Sequence, residues 1–124
     1  MLRIIIETIP HASQRYDTVG DYWVDPDGTW QVRISALPDW RAEMCIALHE
    51  LIEKALCVKA GIRDVDIDEF DQEFLNLNGE EPGDDPRAPY YRQHQVAVAM
   101  EHFIASQLDL SWREYALMTQ QAGE

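Results

Sequence analysis

PDWRAEMCIALHELIEKALCVKAG, the stretch from Pro38 to Gly61, reads as a helix by its own signals. Asp39 is a residue type that caps a helix start, and Gly61 is the type that accepts the left-handed turn past a helix end. Its middle, His49-Glu50-Leu51-Ile52-Glu53, is an H-E-x-x-E pattern. Residues four apart stack on one helical face, so His49 and Glu53 point the same way. At roughly 100° per residue, Ala42, Ile46 and Leu56 share that direction, and Leu48, Leu51, Ile52 and Ala55 fill the adjoining arc. A helix this apolar is expected to be buried, which puts two ionisable groups on or beside its inner side.

A buried carboxylate is costly unless it is paired, hydrogen-bonded or bound to a metal. His49 and Glu53 can offer one imidazole nitrogen and one carboxylate oxygen to a single cation. Glu50, about 100° further round the helix, sits near that site without pointing straight into it. A general base working on a metal-bound water needs that placement. The same spacing also serves ordinary helix-surface pairs, and only the buried setting raises it above a chance match.

A second long helix is expected from about Pro89 to Leu108, with His94, Ala97, Val98, Glu101, Ile104, Ala105 and Leu108 on one face. The backbones of His94 and Glu101 would lie roughly 10 Å apart, a long reach for two ligands of one ion. One is therefore expected to be the third ligand and the other a partner steadying a ligating group, with His94 the first choice and Glu101 the alternate. His102 points roughly 80° away and is peripheral. Taken alone, His94 and Glu101 read as a buried pair registering two helices. Beside His49 and Glu53 they read as one divalent-cation site.

Leu2 to Ile9 is an Ile-rich strand ended by Pro10, and a second strand starts at Tyr16 or Thr18 and runs through Val24. Val24-Asp25-Pro26-Asp27-Gly28-Thr29-Trp30 is a hairpin signal, because Pro presets one turn dihedral and Gly accepts a positive φ. Thr29 to Ser35 alternates, Trp30, Val32 and Ile34 against Gln31 and Arg33, as a half-buried strand does. These segments predict a small antiparallel sheet, the N-terminal strand plus the hairpin. Asp64, Asp66 and Asp68 resemble the start of a calcium loop, but Glu69 and Leu75 occupy its diagnostic Gly and Glu positions. A short capped helix is expected there instead, with Phe70, Phe74, Leu75 and Leu77 inward and Gly79 ending it. Glu80 to Pro89 is a proline-stiffened loop. Ser111 and Glu114 form a capping box for a short terminal helix that closes Trp112, Tyr115 and Leu117 over the core as packing groups, before a frayed tail from Thr119 to Glu124.

The 124 residues suit one domain, with four Trp and five Tyr for its core. A net charge of −13 argues against direct binding to nucleic acid or an anionic membrane. Neither a membrane span nor a signal peptide is visible. Cys45 and Cys57 lie roughly 18 Å apart along the helix, too far for a mutual disulfide, which fits small core residues in a reducing cytoplasm.

A sheet with a hairpin followed by a helix carrying His49-Glu50-Leu51-Ile52-Glu53 resembles a minimal zincin metallopeptidase, whose helix motif is H-E-x-x-H. The resemblance covers about the first half of the chain. It implies an α+β zincin-like fold, with the sheet packed on two long helices and short C-terminal helices. It also implies His49 as a ligand, Glu50 as the base and Glu53 as the second ligand. His94 or Glu101 would be third by geometry only. Glu53 replaces the family's second His; its harder oxygen donor widens the candidates from Zn²⁺ to Mn²⁺ or Fe²⁺. His11, Tyr91 and Arg92 are the candidates for stabilising an oxyanion. The chain is also similar to small uncharacterised phage and prophage proteins, a similarity that carries no activity with it.

Two functions follow from these readings. One is a compact metal-dependent hydrolase, acting on an amide bond with Glu50 as base. The other is a non-enzymatic acidic protein that occupies the basic surface of a partner, its His and Glu residues forming a structural metal site or buried pairs. An all-helical nucleotide pyrophosphatase is disfavoured, since Glu50 and Glu53 supply only half of its carboxylate cluster and the N-terminal strands do not fit.

Overall fold

Gly28, at φ 88°, turns the chain between two antiparallel strands, with Gly28 N donating to Asp25 O and Asp25 N to Thr29 O. The strands are β2 (Gly20–Val24) and β3 (Trp30–Ser35), and β1 is Ile4–Ile9. The computed structural model describes residues 1–78 and 81–123, the side chains of 75–78 excepted. These residues form an α+β fold of a three-stranded sheet and four helices: α1 (Trp40–Ala60), α2 (Asp64–Asn78), α3 (Tyr91–Gln107) and α4 (Trp112–Ala122). Short 3₁₀ turns occupy His11–Ser13 and Pro82–Asp84.

The sheet is mixed, not antiparallel. Its order is β1-β3-β2, with β1 parallel to β3 in the register Ile4 to Trp30 through Ile9 to Ser35. The segment between β1 and β2 is long enough to carry the chain past the neighbouring position, so β1 docks on the far edge of β3. His11 ties that segment down, its ring bonded to Ser35 Oγ at 2.8 Å and to Asp17 at 2.9 Å. β3 is thereby flanked on both edges, and its Val32 and Ile34 are 0% and 1% exposed.

α1 begins on Asp39, which accepts from Arg41 N, and ends on Gly61 at φ 74°. It packs on β2, β3 and α3. Its buried stripe is Ala42, Cys45, Ile46, His49, Glu53 and Cys57, the spacing of one helical face. The arc expected beside it is drier in sequence than in space: Leu48, Leu51 and Ile52 are only half-buried and Ala55 is exposed. Lys54 is buried instead at 2% exposure, its Nζ 2.6 Å from Asp64 and lying over the Tyr22 ring. Arg41 reaches from the start of α1 to the carbonyls of Leu108 and Asp109, fixing one end of α1 against the end of α3.

α2 is a full fifteen residues, not a short helix. Asp64, Asp66 and Asp68 at its start face three different cations, Lys54, Arg63 and Arg15, so they do not converge as a calcium loop would. Phe70 and Phe74 stack on each other. The expected inward packing of Leu75 and Leu77, the helix end at Gly79 and the loop start at Glu80 lie outside the described residues. α4 starts on Ser111, which accepts from Glu114 N, and continues to Ala122 where fraying was expected. Its inner face carries Tyr115 and Met118, with Trp112 edge to face on Tyr115 and partly exposed, while Leu117 faces outward. Cys45 and Cys57 are free and buried, and no described helix is long and apolar enough to cross a membrane.

Removing the Lys54 amine leaves Asp64 without its cation next to the core. Lys54→Ala is expected to destabilise the fold by about 3 kcal/mol in denaturant titration. A loss below about 1 kcal/mol would show that the pair does not anchor α1 to α2.

Candidate metal centre

One helical turn places His49 and Glu53 on the inner face of α1, and two turns place His94 and Glu101 on the inner face of α3. The packing of α1 on α3 brings the four together, and all are buried. Glu53 Oε2 is the hub. It lies 3.0 Å from His49 Nε2 and 2.8 Å from His94 Nδ1. The rings of His49 and His94 meet edge to face, centroids 4.8 Å apart.

A buried His49–Glu53–His94 group of this kind can bind a metal ion: one donor atom from each residue lies within 4.8 Å of the other two. Ligands at zinc-like bond lengths of roughly 2.0–2.1 Å in tetrahedral array stand about 3.3 Å apart, so the 2.8 and 3.0 Å pairs would open slightly around an ion while the two imidazoles, within 4.8 Å of each other, adjust to the same spacing. Glu101 lies outside this triangle. It accepts from His49 Nδ1 at 2.7 Å, behind the ring, and is itself held by the Tyr115 hydroxyl. The remaining atoms of the other two groups are occupied in the same way. His94 Nε2 is 3.2 Å from Asp84 Oδ1, and Tyr22 donates to Glu53 Oε1 at 2.7 Å. Each candidate ligand thus has one atom turned to the centre, where the three are bonded to one another, and a second atom fixed by an outer partner, the arrangement that orients metal-binding imidazoles.

A cavity of about 560 Å³ opens beside the triangle. Glu50 lines it, half-buried and with no hydrogen-bond partner among the described residues. Two glycines let backbone approach the site. A Cβ on Gly20 would stand 2.5 Å from Glu50 Oε1, and one on Gly83 would stand 2.5 Å from His94 Nδ1. Tyr16 and Tyr90 also line the cavity, both donating to Asp71. Of the three residues considered for an oxyanion, His11 lines the cavity, whereas Tyr91 and Arg92 do not. His102 is exposed and stacks on Trp112.

Burial pushes Glu53 up, but hydrogen bonds from His49 and His94 prevail and hold its carboxyl at about 2. Burial likewise disfavours the His49 imidazolium, yet its bonds to Glu101 and Glu53 outweigh that and raise it to about 11. His94 is raised by Glu53 against the same burial. Burial drives Glu50 well above the carboxylate range; His49 opposes this, and Glu53, Glu81 and Asp21 reinforce it. Asp71 is raised to about 7 by burial, against its two tyrosine bonds. Without metal, these shifts favour an ionised Glu53 and a protonated His49, and push His94 toward its protonated form.

Helical spacing alone aims the His and Glu residues inward. Tyr22, Asp84, Tyr115 and the glycines Gly20 and Gly83 reach the site through long-range packing, and nothing in their local sequence marks them. No protein-family model, curated protein or solved structure matches the chain. Its functional reading rests on its own geometry.

The pKa directions give the metal-free protein an unusual pH profile. His49, raised from 6.5 to about 11, contributes stability that is complete below 6.5 and lost as pH rises through 11. His94, Glu50 and Asp71 are also raised and lose theirs in the same direction. Glu53, lowered from 4.5 to about 2, contributes stability complete above 4.5 and lost as pH falls through 2. The melting temperature without metal should therefore be highest between 3.8, where Asp71 begins to lose its contribution, and 4.5, where that of Glu53 is complete, and fall toward alkaline pH. A divalent cation must displace the imidazole protons, so its stabilising increment should grow with pH. A metal-free melting temperature that rises steadily to about pH 9 would contradict this charge assignment.

Proposed function

We propose that this chain is a zincin-like metal-dependent hydrolase in which His49, Glu53 and His94 hold one divalent cation and Glu50 is the general base. The observation that carries this reading is the convergence of three buried candidate ligands, His49, Glu53 and His94, each with its second atom fixed by an outer partner, beside a cavity that Glu50 lines. Two imidazoles and one carboxylate suit catalytic Zn²⁺, with Mn²⁺ and Fe²⁺ as the other candidates. The cation would supply Lewis acidity and lower the pKa of water at the site. Glu50 would take a proton from that water at its free carboxylate oxygen. Its burial-raised pKa suits it to hold the proton and pass it to the leaving group. Glu101 and Asp84 would fix the tautomers of His49 and His94, and Tyr22 would hold Glu53.

The cavity wall bears on the substrate. Asp17, Asp21, Glu50, Asp68, Glu81 and Asp84 line it, and no lysine or arginine does so among the described residues. A phosphorylated substrate meets repulsion there, which speaks further against the pyrophosphatase reading; a neutral or cationic amide does not. β2, the strand beside the cavity, has outward backbone groups at both ends bonded by Thr18 and Asp64, which leaves an extended peptide only the short stretch at Tyr22 to pair with. The reading therefore favours an amide carried on a compact group.

A second reading draws on the ion-pair cluster itself. Both rings already have carboxylate partners on each nitrogen, so the network is self-sufficient, as an acidic interaction protein without metal would require. Metal analysis of untagged protein separates the two. The hydrolase reading expects about one equivalent per chain, lost in His49→Ala, and metal affinity lower by about 10–100-fold in Glu101→Ala. Glu50→Gln should keep the ion and lose metal-dependent amide hydrolysis. Absence of bound metal, with His49→Ala folding unchanged, would sink the proposal.

A further inference from the structure

The two edges of the sheet differ. In β2, the backbone groups that face away from β3 belong to Gly20, Tyr22 and Val24; Val24 N donates to Asp64 at 3.0 Å, and Gly20 exchanges bonds with Thr18 Oγ1. That edge is covered at its two ends, though Tyr22 between them has no backbone partner on this side among the described residues. In β1, Arg3 O accepts from Trp30 N and Ile9 O from Ala36 N, so the odd-numbered residues face β3. The N–H and C=O groups of Ile4, Ile6 and Thr8 therefore point out of the free edge, and no partner meets them among the described residues.

The side chains on this edge are apolar and uncovered. Ile4 and Ile6 share a sheet face with Trp30 and Val32, the face α1 packs on. The helices stop short of them, leaving them 37% and 45% exposed. β1 carries no proline, lysine or bulge of the kind that normally blunts an edge strand.

What distinguishes this edge is its symmetry. Arg3-Ile4-Ile5-Ile6-Glu7 is palindromic in chemistry, with Ile5 at its centre and opposite charges at its ends. Antiparallel pairing of two copies about Ile5 sets Ile4 opposite Ile6 of the second copy, as the hydrogen-bonded pairs. Those are the residues whose backbone groups face outward, so backbone polarity and register agree. Arg3 then falls opposite Glu7 of the second copy in a non-hydrogen-bonded pair, where facing side chains come closest. Both residues are exposed, and Glu7 has only a loose contact with Arg33 at 3.9 Å.

We propose that the chain forms a two-fold homodimer by antiparallel β1–β1 pairing centred on Ile5, joining two three-stranded sheets into one of six. The four isoleucines at positions 4 and 6 make one continuous apolar stripe, and two Arg3–Glu7 pairs set the register. This proposal is independent of the metal centre, since no β1 residue lines the cavity.

Sedimentation of the full chain with its N-terminus untagged tests it. The wild type is expected at twice the monomer mass. Arg3→Glu alone and Glu7→Arg alone each place like charges opposite one another twice, and each should weaken dimerisation on the order of tenfold or more. Mixing the two single variants should restore a heterodimer, and the double variant R3E/E7R should restore the homodimer. Ile5→Cys should cross-link into a covalent dimer on oxidation, because its pair lies on the two-fold axis. Circular dichroism checks that each variant is folded. A wild type that stays monomeric at all concentrations overturns the proposal, as do single charge variants that dimerise undiminished or mixed variants that fail to associate.

Discussion

A single carboxylate oxygen, Glu53 Oε2, holds the two main helices of this protein together. It sits between His49 of its own helix and His94 of the next, 4% exposed as a residue, where an uncompensated charge would cost several kcal/mol. The fold answers that cost with three donors, two imidazoles and the Tyr22 hydroxyl. The arrangement draws on the sheet, α1 and α3 together, so the site cannot form before these elements have docked.

From that hub the same logic spreads outward. His49 needs a carboxylate behind it, and Glu101 supplies one because two turns of α3 separate it from His94. Glu101 in turn needs a donor, and Tyr115 brings α4 down onto the helix pair. His94 sits against the backbone of Gly83, so the turn carrying Asp84 is pressed onto the ring. Glu50 is the exception to this pattern of satisfaction. It faces open space over Gly20, where any side chain would collide with it, and its lack of a partner among the described residues fits a group kept free for chemistry rather than for stability.

Local rules carried much of this into view. The limits of α1 were legible because Asp39 and Gly61 act on their own backbone, and the hairpin because Gly28 takes a dihedral that few other residues tolerate. The inward direction of His49, Glu53 and His94 follows from periodicity alone. Sheet order did not: whether β1 sits beside β2 or β3 is a non-local choice, and an Ile-rich strand satisfies either. The burial of Lys54 was equally hidden, since a lysine on a helix reads as solvated until Asp64 and Tyr22 are seen to enclose it. The outer partners of the site share that difficulty. Tyr22, Asp84 and Tyr115 are ordinary residues in ordinary local settings, and their roles exist only after the elements pack.

The two imidazoles present opposite nitrogens to the centre, Nε2 from His49 and Nδ1 from His94, and this asymmetry allows a direct measurement. Nitrogen NMR of the imidazole rings, recorded as one equivalent of Zn²⁺ is added, reads which nitrogen takes the metal and which keeps its proton. The expected result is His49 coordinated through Nε2 with a protonated Nδ1, and His94 coordinated through Nδ1 with a protonated Nε2. Two rings that remain doubly protonated at neutral pH, unmoved by the added ion, would mean that the cluster is an ion-pair network and no metal belongs there.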